Sequence, residues 1–171
     1  MPGGVKYYLG VSGGPFCTPT RGCGYTAGTP IILWTATTNG DQNWLSSYPG
    51  SGTVQNEFGD PGVGDPWDLA VYGDGTGNNS SVAIEPPPVT SMTWTITSAT
   101  DLGAPYPGCY AFINQHATNG QNGTKAMVVY QGKVQQGQRV VLYDLCTPTN
   151  GKCGNPSNAW HPDQFWCPET F

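Results

Sequence analysis

Apolar residues along the chain fall in short runs, each closed by turn residues. The runs Val5–Val11, Pro30–Ala36, Trp67–Tyr72, Ser81–Glu85, Met92–Thr97, Cys109–Asn114, Lys125–Gln131, Arg139–Leu145 and Gln164–Cys167 read as strands. They are rich in Val, Ile, Tyr, Trp and Thr, which pack well on a pleated surface. Between them lie Asn39-Gly40, Asn119-Gly120, Asn122-Gly123 and Asn150-Gly151. Asn-Gly is a strong hairpin signal because both residues tolerate positive φ. Two long Gly/Pro-rich loops, from Tyr48 to Pro66 and from Ser98 to Pro107, interrupt the series. Regular short strands with dense turns predict an all-β sandwich or barrel.

Composition sharpens this picture. The 171 residues contain 25 Gly and 16 Pro, the two poorest helix formers, so long helices are excluded. Aromatic residues make up 12%, enough for a core and against disorder. No break in composition divides the chain, so residues 1–171 read as one domain. Uninterrupted apolar runs, such as Ala126–Tyr130, are too short for a transmembrane helix.

Charge excludes partners. Net charge is −5, and the six basic residues are scattered, so no patch displaces counterions from nucleic acid or binds an anionic membrane. Six cysteines, an even count, fit an extracellular disulfide framework better than zinc, since no tight CxxC pair occurs. The N-terminus shows no leader, so the chain reads as a mature secreted or extracellular protein, with a cytoplasmic location as the alternative. Asn78, Asn79 and Asn122 stand in glycosylation tripeptides.

An internal repeat carries more information. Gly28–Trp34 followed by Asp41-Gln42-Asn43-Trp44 matches Gly137–Tyr143 followed by Asp163-Gln164-Phe165-Trp166. Both read Gly-x-x-[Ile/Val]-[Ile/Val]-Leu-aromatic, a loop, then Asp-Gln-x-Trp. A degenerate copy holds Val82-Ala83-Ile84 and Met92-Thr93-Trp94. A strand precedes each copy: Tyr8–Val11, Asp68–Val71 and Cys109–Phe112. The units then run roughly 5–66, 67–106 and 107–171, the arithmetic of a three-fold β-barrel with hairpin caps.

These residues resemble the ricin-B-like (R-type) β-trefoil lectins, whose mark is a repeated Gln-x-Trp. The resemblance implies a β-trefoil of three imperfect four-strand repeats that binds a glycan or glycoprotein without a cofactor. It also implies a Cys109–Cys146 bridge, which leaves Cys17 with Cys23 and Cys153 with Cys167. A working site in this family needs an acid on the first strand, an aromatic platform, and an Asn/Asp-Gln pair at the base. The acid positions read Gly10, Ala70 and Ala111. The platforms read Trp34 and Tyr143, and the base pairs read Asp41-Gln42 and Asp163-Gln164. Unit two holds Ser91-Met92 at the base and reads as inactive. Asp144, Asn39 or Asn114 is then expected to supply the missing acceptor. Trp44, Trp94 and Trp166 read as core anchors.

Enzyme signals are weak. Gly10-Val11-Ser12-Gly13-Gly14 matches Gly-x-Ser-x-Gly, but Pro15–Pro19 cannot start the helix a nucleophile elbow requires. Asp60, Asp65, Asp68 and Asp74 do not match a calcium-loop spacing. With two histidines and few acids, the chain is expected to be non-catalytic. The alternatives to a lectin are a protease-inhibiting trefoil, or a secreted defence or immunomodulatory protein that presents its loops to a protein target.

Overall fold

The structure, a computed structural model, describes residues 6–13, 16–18, 22–36, 42–46, 50–56, 67–118, 123–150 and 159–168. The strands are β1 (Tyr8–Val11), β2 (Phe16–Thr18), β3 (Gly22–Gly24), β4 (Thr29–Trp34), β5 (Trp44–Ser46), β6 (Gly50–Gly52), β7 (Val54–Asn56), β8 (Trp67–Val71), β9 (Val82–Glu85), β10 (Trp94–Ser98), β11 (Tyr110–Asn114), β12 (Lys125–Val129) and β13 (Val140–Asp144). No helix among the described residues is long and apolar enough to cross a membrane.

Three antiparallel pairs repeat one register. Leu9 faces Leu33 in β1–β4, Leu69 faces Ile84 in β8–β9, and Met127 faces Leu142 in β12–β13. The second strands of these pairs meet around a common axis. β4 pairs with β9 through Thr29↔Ile84, Ser81 bridges to Val141, and Ile32 bridges to Arg139. Backbone bonds close the ring: Gly28 N–H to Ile84 O, Asn79 N–H to Leu142 O, and Gly137 N–H to Leu33 O, at 3.0, 2.8 and 2.7 Å. The three donors hold one backbone conformation, with φ of 79°, 70° and 77°. Only Gly, and Asn more readily than other residues, adopts it at low cost. This explains why two copies of the repeat begin with Gly and the middle one with Asn79. Three such units make a β-trefoil.

The core lies along the axis. Ile31, Leu69, Ile84, Trp94, Met127, Val140 and Leu142 are fully buried. Each unit tethers its tryptophan the same way: Trp44, Trp94 and Trp166 donate through Nε1 to Leu9 O, Leu69 O and Met127 O. The anchoring expected of the Gln-x-Trp positions is therefore present, and Met-x-Trp serves equally in unit two.

The structure corrects three expectations. First, Cys109–Phe112 does not open unit three. β11 pairs with β10 from Trp94↔Asn114 to Ser98↔Tyr110, so it closes unit two, and β12 is the strand paired with β13. The position matching Gly10 and Ala70 is therefore Val128, not Ala111. Second, Gln164–Cys167 is no regular strand: Pro162–Gln164 form a 3-10 turn, and only Trp166 bridges, to Tyr110. Proline at the start fixes φ for that turn. Third, Cys109 bonds Cys167, not Cys146. Two 2.8 Å backbone bonds hold Tyr110 against Trp166, which sets the neighbouring Cys109 and Cys167 opposite each other. Cys146 is disulfide-bonded to a partner outside the described side chains, so the Cys153–Cys167 pairing falls as well. β2 and β3 place Cys17 opposite Cys23, as that pairing requires, although their side chains, like Cys153, lie outside the described set.

Candidate functional site

The three-fold arrangement offers three equivalent places for a site, each beside the residue that follows Leu33, Ile84 or Leu142 on a second strand. That residue is Trp34 in unit one, Glu85 in unit two and Tyr143 in unit three.

In unit one, Trp34 is half-buried, and its ring lies beside Gly137, where an added Cβ would stand 3.8 Å from Cζ3. Gln42 donates through Nε2 to Thr35 O at 2.9 Å. Asn39 and Asp41 lie outside the described residues.

Unit two is built without a platform or a base pair. Ser91 is fully buried and turns back on Val71: its Oγ donates to Val71 O and accepts from Val71 N–H. Asp74 accepts from Ser91 N–H at 3.0 Å, and hydrogen bonds from Ser91 hold its carboxyl below the usual range.

Unit three forms a cleft of about 430 Å³. Tyr143 stands in its wall, 42% exposed, with Val128 beside it. The base comes from the Pro162–Gln164 turn. Asp163 lies in the cleft with its side chain mostly covered, close to Gly132, where an added Cβ would stand 3.6 Å from Oδ2. Burial pushes the Asp163 carboxyl up from its ordinary value, against the pull of His161, whose Nδ1 lies 3.6 Å from Oδ1. Asn79, from unit two, also lines the cleft.

Two expected sugar ligands are committed elsewhere. Gln164 lies beneath the cleft, but its amide clasps the backbone of Cys146, donating to O at 2.8 Å and accepting from N–H at 3.0 Å. It is a structural clamp. Asn114 is fully buried, donating to Ser91 O and accepting from Ala117 N–H, so it belongs to the core of unit two and not to a sugar site. Asp144 does reach the cleft, where Lys125 Nζ at 2.6 Å and Asn78 Nδ2 at 3.1 Å hold it in place. Lys125 also donates to Asn78 Oδ1, so the buried ammonium is paired and bonded, as burial of a charge requires.

The structure therefore gathers Tyr143, Asp144, Asp163 and Gln164 in one cleft. Among the residues it adds there are Asn79, Val128 and His161. Asn79 carried a usable signal, since Asn stands where the other repeats have Gly. Val128 was hidden by the misplaced start of unit three.

The protein is a β-trefoil. Among solved structures it is similar to a designed three-fold symmetric protein, ThreeFoil, at 15% identity and a TM-score of 0.62, covering 95% of this chain and 90% of that one. It is also similar to part of a mosquitocidal holotoxin, at 14% identity and a TM-score of 0.54. That match covers 94% of this chain and 16% of the toxin chain. No protein-family model and no curated protein matches the sequence.

Proposed function

We propose that this β-trefoil is a non-catalytic, extracellular carbohydrate-binding protein that takes a neutral glycan, free or on a glycoprotein, in the cleft of unit three. The observation that carries the reading is an open tyrosine ring and a mostly covered carboxylate, Tyr143 and Asp163, lining one cleft of about 430 Å³. An aromatic face covers the apolar face of a sugar ring, and a carboxylate accepts charge-assisted bonds from its hydroxyls. The volume lies within the usual range for a small-ligand site. Val128 removes the acid that the resemblance calls for on the first strand. Asp163 and Asp144, both lining the cleft, are the acceptors that replace it. The Cys109–Cys167 bridge supports an oxidising, extracellular setting.

A glycan array of the oxidised protein tests this, with Tyr143→Ala and Trp34→Ala alongside. Reproducible binding lost in Tyr143→Ala and kept in Trp34→Ala is the expected result. A blank array from folded protein refutes the reading, and leaves the trefoil as a scaffold for protease inhibition or another protein target.

A further inference from the structure

The three-fold axis repeats one backbone position, and only one of its three copies carries a side chain. Gly28, Asn79 and Gly137 all have positive φ, and each donates its N–H to the second strand of a neighbouring unit. Asn79 N–H bonds Leu142 O, while Ser80 O accepts from Leu142 N–H. Two residues thus share one partner, the pattern of a β-bulge whose first residue favours Gly. Gly137 and Gln138 share Leu33 in the same way. A Cβ at Gly28 would run into the Tyr72 ring, and one at Gly137 would stand 3.8 Å from the Trp34 ring. At Asn79 a side chain is present and exposed, and it lines the unit-three cleft together with Tyr143.

The backbone does not call for this asparagine. The other two copies are glycine, and a φ of 70° costs more for a residue with a Cβ. The side chain does not brace the fold either. Its neighbour Asn78 commits its amide to Asp144 and Lys125, whereas no side-chain hydrogen bond joins Asn79 to another described residue. An exposed, unbonded side chain in a costly conformation points to a role outside the fold. The cleft supplies that role. Ionised Asp144 and Asp163 only accept hydrogen bonds, whereas a sugar hydroxyl both gives and takes them. The Asn79 amide offers a donor and an acceptor on one planar group.

We propose that Asn79, reaching in from unit two, is the specificity-determining residue of the unit-three cleft, a role that rests on the reading of that cleft as a sugar site. Asp163 accepts from one hydroxyl of a pyranose, the Asn79 amide bonds the next hydroxyl along, and the sugar ring lies on Tyr143. The ligand class is a neutral pyranose with vicinal hydroxyls. The configuration at the carbon facing Asn79 decides which epimer is held, because the wrong epimer turns its hydroxyl away and leaves the amide unpaired.

The test uses the full oxidised chain, made in a bacterial periplasm so that Asn79-Ser80-Ser81 carries no glycan. Parent, Asn79→Gly and Tyr143→Ala are titrated by NMR with two pairs of sugars, each pair differing at one carbon: methyl β-galactoside with methyl β-glucoside, and methyl α-mannoside with methyl α-glucoside. The parent should favour one member of a pair by about tenfold or more. Asn79→Gly should keep its Tm within about two degrees, bind the favoured glycoside about tenfold more weakly, and show an epimer ratio near one. Tyr143→Ala should weaken the favoured glycoside too. Asn79→Gly with the parent's epimer ratio overturns the proposal, whatever its Tm. If Tyr143→Ala still loses binding in that case, the cleft stands as a sugar site and only the role of Asn79 falls. A folded parent that binds none of the four glycosides overturns both.

Discussion

Asp68 gives the sharpest energetic test of the fold. It sits on β8, 1% exposed, and its Oδ1 has no hydrogen-bond partner. Burial raises the carboxyl from 3.8 to about 6, while a hydrogen bond from the Gln55 side chain pulls the other way. The folded state therefore holds this proton more tightly than the unfolded chain does. Its contribution to stability is fully present below pH 3.8 and is lost as pH rises through about 6. At pH 7 the ionised, buried group costs about 3 kcal/mol relative to its protonated form. Asp68→Asn keeps the shape and removes the charge. Urea unfolding of the oxidised protein at pH 7 should show the variant more stable by about 1–3 kcal/mol, with Tm higher by a few degrees. Near pH 4 the two proteins should converge. Glu85, opposite Asp68 across the strand pair, is also held above its ordinary value, by burial and by Asp74, so a shallower slope should remain. If Asp68→Asn is no more stable at pH 7, or keeps the parent's full pH dependence, the account of Asp68 as an uncompensated buried carboxyl is wrong.

Other outcomes follow from the same structure. Trp94→Ala, at a fully buried anchor, should cost about 3–5 kcal/mol by denaturation, and Trp44→Ala and Trp166→Ala less, in proportion to their smaller burial. Replacing Cys109 and Cys167 together by Ser opens a loop with a sequence separation of 58 and should lower stability by about 4 kcal/mol in the same assay. Glycan affinity should fall on acidification as the Asp163 carboxyl takes up its proton, at a pH above that of an ordinary aspartate. In Asp163→Asn, titration calorimetry should show weaker binding and lose that pH dependence.

The paired strands around the axis were legible because each is a run of Val, Ile, Leu and aromatic residues closed by a turn, and all three hairpins lie where such runs stand. The three-residue strands β2, β3, β5, β6 and β7 were not. Gly22-Cys23-Gly24 and Gly50-Ser51-Gly52 carry no apolar alternation, and their partners alone make them strands. Tyr110–Phe112 looked like the opening of a unit because a first strand and a fourth strand present the same apolar pattern. Only the pairing with β10 separates the two roles. At the site, the Tyr143 platform and the Asp163-Gln164 base were readable as a local motif. The use of Gln164 and Asn114 as backbone clamps was not, since it depends on which carbonyls the fold leaves to be satisfied. Asn79 belongs to the cleft only through the ring of hydrogen bonds that joins neighbouring units.

The central claim is that the unit-three cleft binds sugar through Tyr143 and Asp163. The most direct measurement is titration calorimetry with the strongest glycan from the array, against the parent protein and Tyr143→Ala. Because Tyr143 is exposed, its loss should leave Tm within a degree or two while weakening binding about tenfold or more. Binding of unchanged strength in a folded Tyr143→Ala protein would contradict the account.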